Sequence, residues 1–286
     1  MSYPTDRPAT WFVTGTSRGL GLELVKQLLW RGDNVAATTR SASRLMTALG
    51  GRADLSRLLA LTVDLPDDSA VDRAMRETTR RFGSLDVVVN NAGYGFLGAV
   101  EETSDSEVRE MLGVQVIGVW NVLRAALPIL RRQKGGHIVN VSSVLGLTAI
   151  PGWGLYCAAK FAIEGLSEAL AAEVADFGVK VTVIEPGYFR TDFLTHDSLA
   201  LPARTSEGYP AIRKMVDNHL DLQGNQLGDP AKGAKAVISR VVHGNGPLRQ
   251  LLGSDAYSYA STKVDTLRAD IEAGREIAHT TDFAAV

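Results

Sequence analysis

The sequence predicts an α/β fold in which a parallel, doubly wound sheet of about seven strands carries helices on both faces. Three observations predict it. Short apolar runs alternate with amphipathic stretches over the first two-thirds of the chain. Each apolar run has the length of a strand buried on both faces. A glycine-rich turn joins the first apolar run to the first amphipathic stretch, where such a sheet opens a crevice at its strand ends.

The elements follow in order. Strands are expected at 10–14, 34–39, 58–63, 85–89, 136–141, 179–184 and 248–252. Helices are expected at 19–31, 42–50, 67–82, 105–133, 154–177, 230–243 and 255–278. Pro128 lies inside the 105–133 stretch and predicts a kink or break there, because proline lacks the N–H of a helical bond. Asp229-Pro230 predicts a helix start. Residues 192–230 lose the alternation and carry Pro202, Gly208, Pro210, Gly224 and Gly228. They read as a long insertion with short helices of its own, a lid over a site. The expected organisation is one domain over 1–286, with a motif-bearing core at 9–191 and the lid and C-terminal elements at 192–286.

Bulk properties narrow the function classes. The 286 residues carry a net charge of -2 and no Lys/Arg run, which argues against nucleic acid as a partner. Cys157 is the one cysteine, so no intrachain disulfide forms. The first residues lack an apolar stretch of signal-peptide length, and no window is expected to span a bilayer. A cytoplasmic protein without membrane partners is the expectation. His137, His196, His219, His243 and His279 lack metal-ligand spacing, and no metal is expected.

The turn Thr14-Gly15-Thr16-Ser17-Arg18-Gly19-Leu20-Gly21 has the residues a pyrophosphate needs. Glycines let the backbone come close, and the following helix offers free N–H groups and the favourable end of its dipole. The second strand ends at Thr38-Thr39-Arg40. An acid there would bind a ribose 2′-hydroxyl and repel a 2′-phosphate; Arg40 binds the phosphate, with Arg18 on its other side. NADP(H) is therefore the expected cofactor. Asp64, followed by Leu65, ends the third strand; it suits the adenine amino group, or else caps the next helix. Asn90-Asn91-Ala92-Gly93 ends the fourth strand, where an Asn side chain can also tie backbone segments together.

Tyr156 and Lys160 stand four residues apart on one helix face. A nearby ammonium favours the phenolate, and a tyrosine so tuned can give a proton to a carbonyl oxygen or take one from an alcohol. Ser142-Ser143 end the fifth strand, placing a hydroxyl where ligands bind. After the sixth strand, Pro186-Gly187-Tyr188-Phe189-Arg190-Thr191 offers backbone and Thr191 to a nicotinamide carboxamide. Tyr94, Leu145, Trp153, Tyr188 and Phe193 lie just beyond strand ends or motifs and suggest a mostly apolar pocket. Cys157 points about 100° from Tyr156 and reads as a small buried hydrophobe. Trp120 and Leu123 read as core or interface.

Taken together, T-G-x-x-x-G-x-G at 14–21, V-D-L at 63–65, N-N-A-G at 90–93, S-S at 142–143, Y-x-x-x-K at 156–160 and P-G-x-x-x-T at 186–191 resemble the short-chain dehydrogenase/reductase family, in order and spacing. The resemblance implies a Rossmann-type fold and hydride transfer between a nicotinamide and a ketone or secondary alcohol. It assigns substrate positioning to Ser143, acid/base chemistry to Tyr156, and support of Tyr156 and the nicotinamide ribose to Lys160. It places the glycine turn (Gly15, Thr16, Ser17, Arg18, Gly19, Leu20, Gly21), Arg40, Asp64, Leu65, Asn91, Ala92, Gly93, Pro186, Gly187, Phe189 and Thr191 at the cofactor. It also implies a homodimer or homotetramer, built on the helices at 105–133 and 154–177. The N-N-A-G-Y-G string and long C-terminal part are similar to 17β-hydroxysteroid-dehydrogenase-like ketone reductases.

One residue departs from the pattern. Gln115 stands where the family has an Asn that holds a helix bend and a water relaying protons to the Lys. Gln115 is a candidate catalytic residue on that basis. The readings are carbonyl reduction with NADPH, oxidation of a secondary alcohol, or a dinucleotide-binding regulator without catalysis.

Overall fold

The computed structural model describes residues 3–50 and 54–283. Seven strands form one parallel sheet: β1 (Thr10–Thr14), β2 (Asn34–Thr39), β3 (Leu58–Thr62), β4 (Val87–Asn90), β6 (Gly136–Val141), β7 (Val179–Pro186) and β9 (Arg249–Leu252). Their order across the sheet is β3-β2-β1-β4-β6-β7-β9. The order reverses between β1 and β4, which opens a crevice at their C-terminal ends. Two further strands, β5 (Gly95–Phe96) and β8 (Leu199–Ala200), pair with each other outside the sheet.

Apolar residues on both strand faces explain the layers. On one face α1 (Gly19–Trp30), α2 (Ala42–Leu49) and α8 (Pro230–His243) pack Leu24, Leu28, Leu45 and Val237 against Trp11, Val13 and Val35. On the other, α3 (Asp68–Phe82), α5 (Gly118–Gln133) and α6 (Gly154–Val174) pack Met75, Val122, Ala126 and Ile163 against Phe12, Val88 and Ile138. A third cluster lies beyond the strand ends. It joins Phe96, Met111, Trp153 and Leu194 to Val216 of α7 (Pro210–Asp221) and to Ala256 and Ala260 of α9 (Ser254–Ala273). A short α10 (Arg275–Thr280) follows.

The expected break at Pro128 does not occur; α5 runs through it. Packing of Val122, Ala126 and Leu130 on the sheet holds the helix across the one missing N–H. The irregularity lies earlier. Between α4 (Asp105–Leu112) and α5, residues Gly113–Ile117 form a π-turn around Gln115. One extra residue in a turn re-aims its side chains, a common device beside functional sites.

The stretch Asp105–Gln133 also corrects the bilayer expectation. By length and composition it could cross a membrane, an 18-residue window within it having a mean hydropathy of 1.4. Part of that apolarity is used inside the protein, where Val119, Val122, Leu123 and Leu130 are sheet-facing core, while Ile117 and Trp120 are exposed.

Candidate active site

The glycine turn leaves β1 and enters α1 as its sequence requires. Gly15 and Gly19 take left-handed φ of 69° and 57°. A methyl group on Gly21 would stand 2.3 Å from the Gly15 carbonyl oxygen and 2.4 Å from Asn91 Nδ2. Only glycine fits. Asn91 fixes the turn by donating from Nδ2 to the Thr14 and Gly15 carbonyls, both at 3.0 Å. Its tying role is thus realised. The first turn of α1 carries no side-chain cap and no acidic residue, so its N–H groups are free for an anion.

Arg18 and Arg40 flank the turn. Neither has an ion-pair partner among the described residues. Burial works against the Arg18 charge, and the charge of Arg40 adds to that. Arg18 Nη2 donates to the Asp197 carbonyl at 2.8 Å, which ties the lid to the turn. Two neighbouring guanidiniums, neither ion-paired although the charges of Asp197 and Asp192 act on Arg18, suit a phosphate. Asp64 lines the same cleft, and the cap of the next helix comes instead from Asp67, whose side chain accepts from Ala70 N at 3.1 Å.

At the other end of the cleft, Tyr156 and Lys160 project from α6, and Ser143 from the end of β6. Lys160 Nζ lies 5.4 Å from the centre of the Tyr156 ring and donates to the Val141 carbonyl at 3.1 Å. Ser143 Oγ accepts from Leu145 N at 3.1 Å, which aims its hydroxyl inward. Burial pushes the Tyr156 phenol above its ordinary range, and a hydrogen bond with Ser143 acts the other way. The expected drop toward phenolate is therefore reversed, because removing the ring from water disfavours the anion more than its partners favour it. At neutral pH Tyr156 holds its proton. Burial pulls Lys160 down to about 8, with the charge of Glu164 opposing.

One cleft joins both ends. It is lined by Gly15, Ser17, Arg18, Gly19 and Leu20 of the turn, by Arg40, Asp64 and Leu65, and by Asn91, Ala92 and Gly93. Ser143, Tyr156 and Lys160 follow, then Pro186, Gly187, Phe189 and Thr191, and the apolar set Tyr94, Leu145, Trp153, Tyr188 and Phe193. Three expected residues do not line it. Thr16 is buried, with its Oγ1 donating to the Thr38 carbonyl at 3.1 Å. Gly21 is buried beneath the turn. Gln115 lies behind Gly93, its Nε2 donating to the Tyr94 carbonyl at 2.9 Å and to Met111 Sδ. Its longer side chain thus braces the π-turn against the loop after β4 and does not reach the cleft.

Other residues were missed. Leu194, Ser198 and Gln226 of the lid and Tyr259 of α9 line the cleft. So does Glu110 of α4. Tyr188 Oη donates to His219 Nε2 at 2.8 Å, because His219 Nδ1 faces the Met215 carbonyl at 2.8 Å and must donate there. His219 also packs on Trp153, with ring centres 5.2 Å apart. Asp255 Oδ2 accepts from Tyr188 N at 2.7 Å and fixes the turn after β7. Leu194 and Ser198 follow the 186–191 motif closely, whereas Glu110, His219, Gln226, Asp255 and Tyr259 arrive from distant chain segments without a motif.

Fold and cleft together define an oxidoreductase of CH–OH and C=O groups that uses a nicotinamide dinucleotide. Known proteins agree. The family described as short chain dehydrogenase matches residues 9–200, and the chain belongs to it. Its members bind NAD(P), act on small molecules and commonly form oligomers. The chain is 39% identical to the oxidoreductase BOA17 of Botryotinia fuckeliana, over 93% of this chain and 97% of that protein. It is 32% identical to a 3-ketodihydrosphingosine reductase of Bacteroides thetaiotaomicron, over 86% of this chain and 88% of the other. A solved short-chain dehydrogenase from Streptomyces avermitilis superposes with a TM-score of 0.89 at 34% identity, covering 97% of this chain and all of that one.

Proposed function

We propose that the protein is an NADP(H)-dependent carbonyl reductase that acts on the ketone of a fairly apolar small molecule. The observation that carries this reading is a buried Tyr156 beside Ser143 and Lys160, in the same cleft as Arg18 and Arg40, which have no ion-pair partner among the described residues.

When bound, the nicotinamide supplies or accepts the hydride. The chain's own residues do the rest. The N–H groups at the start of α1 hold the pyrophosphate, Arg18 and Arg40 hold a 2′-phosphate, and Asp64 takes the adenine amino group. Lys160 holds ribose hydroxyls. Ser143 orients the substrate oxygen, and Tyr156 donates its proton to that oxygen as charge develops on it. Trp153, Tyr188 and Phe193 exclude water and receive an apolar group, and the Bacteroides relative, named for reducing 3-ketodihydrosphingosine, supports a ketone in that place. Residues 192–230 act as the substrate lid, anchored by the β5–β8 pair and by His219. Ile117 and Trp120 near the start of α5 and Phe161 on α6 are exposed, which supports a homodimer or homotetramer built on these helices.

The test is a panel of ketones of increasing apolar bulk, offered with NADPH or NADH and followed by cofactor absorbance. Turnover with NADPH that improves with apolar bulk is expected. Tight NADPH binding without turnover on any ketone, or a preference for NADH, overturns the reading.

A further inference from the structure

Behind Lys160 lies a cluster that this chemistry does not use. Arg249 of β9 faces three carboxylates: Glu164 at 3.1 Å, Glu168 at 2.6 Å and Glu185 at 3.6 Å. Glu168 is exposed and screened by water. Glu164 and Glu185 are buried, with side-chain exposures of 7% and 1%. Among the described residues, both Glu185 oxygens and Oε1 of Glu164 have no hydrogen-bond partner. One guanidinium does not neutralise two buried acids and a third at the rim. Buried carboxylate oxygens without donors are strongly disfavoured. A proton on Glu185 resolves the conflict, because it lets Glu185 donate to Glu164 and removes one charge.

The position of the pair gives it a consequence. Glu164 follows Lys160 by one turn of α6. Gly146 leaves room for it: a methyl group there would stand 3.2 Å from Glu164 Oε1 and 2.4 Å from Ser142 Oγ. Lys160 is buried, and among the described residues its Nζ makes one hydrogen bond, to the Val141 carbonyl. Burial drives it toward the neutral amine, and the charge of Glu164 is what opposes this.

We propose that Glu164 and Glu185 share one proton at neutral pH, and that the single charge left on the pair makes Glu164 a positioning residue that keeps Lys160 an ammonium. The second half rests on the reading of Lys160 given above. The groups facing the pair are Lys160 and Glu168 of α6 and Arg249 of β9; Asp255 of α9 is engaged with Tyr188 N. Burial first, and the Glu164 charge second, raise Glu185 to about 8. Lys160 also falls at about 8. As pH rises through that range, the charge released on Glu185 helps Lys160 retain its proton.

Two measurements test this without turnover. Infrared difference spectroscopy between neutral and alkaline pH reads the protonated carboxyl stretch. The band is expected in the wild type at pH 7, is lost as pH rises past about 8, and is missing in Glu185→Gln. Its absence from the wild type at pH 7 overturns the shared proton, whether or not any variant folds. Nuclear magnetic resonance of lysine-labelled protein reads the Lys160 titration, with the signal assigned by its loss in Lys160→Met. Glu164→Gln is expected to lower the Lys160 midpoint by about one pH unit or more, the size of a nearby opposite charge. Glu185→Gln is expected to move it by less. An unchanged midpoint in Glu164→Gln overturns the positioning role. Neither outcome depends on the ketone assay, so the two proposals fail separately.

Discussion

Residues 10–191 and residues 192–283 build the same cleft in different ways. The first region places its site residues at the ends of sheet strands locked to neighbours by backbone bonds, in the turns that follow them and, for Tyr156 and Lys160, on α6. The second region contributes Phe193, Leu194, Ser198, Gln226 and Tyr259 from a 3-10 turn, loops and α9. These stand on a third core cluster outside the sheet. Beyond Ala260, α9 packs little, and Val264, Leu267 and Ile271 are exposed. The contrast teaches a division of labour. Charge and proton chemistry sit on the sheet ends, their turns and a helix packed on the sheet, and substrate fit sits on elements that the sheet only supports.

Substitutions can break that contrast or sharpen it. The largest effect is expected for Tyr156→Phe: kcat falls about 1000-fold while NADPH affinity is retained, measured by steady-state kinetics and by cofactor titration. Loss of both together would mean that the two ends of the cleft are not separate. Next is Arg40→Asp, which is expected to lower the NADPH-over-NADH preference by about 10- to 100-fold, the worth of a charge-assisted hydrogen bond. An unchanged ratio of kcat/KM values would remove Arg40 from the cofactor site. In the second region, Tyr259→Ala is expected to raise KM about fivefold for bulky ketones and to spare kcat, since it removes apolar contact and no proton chemistry. A kcat loss of the Tyr156 kind would erase the division.

A separate effect concerns stability and the sheet alone. His137 of β6 is buried against Thr182 Oγ1 at 2.8 Å, and burial first, with Arg240 and Lys180 nearby, pulls it from 6.5 down to about 3. The unfolded chain therefore takes up a proton near pH 6.5 that the folded one refuses until about pH 3. Stability is full above the higher value and is lost as pH falls toward the lower. Between pH 7 and pH 5 the expected loss is about 2 kcal/mol. Urea unfolding at both pH values checks this, and His137→Gln is expected to flatten the difference.

Particular elements show what was legible. The seven sheet strands and the helix starts at Gly19, Gly154 and Pro230 could be read because period, glycine turns and caps are local signals. The π-turn at Gly113–Ile117 could not, since Pro128 looked like the weaker point and packing against the sheet overruled it. Gln115 was legible as a departure but not in its direction, because only the fold shows that its amide meets Tyr94. Tyr188 was expected in the pocket, whereas His219, its partner, lies 31 residues away without a motif.

The sequence by itself determined the parallel sheet, the glycine turn and the Ser143, Tyr156 and Lys160 set, because each depends on residue type at short spacing. Tertiary structure alone decided the protonation of that set. Burial holds the proton on Tyr156 and presses Lys160 toward the amine, and the Glu164, Glu185 and Arg249 cluster comes from α6, β7 and β9. Desolvation and charge pairing depend on what surrounds a group in space, and no spacing along a chain records that.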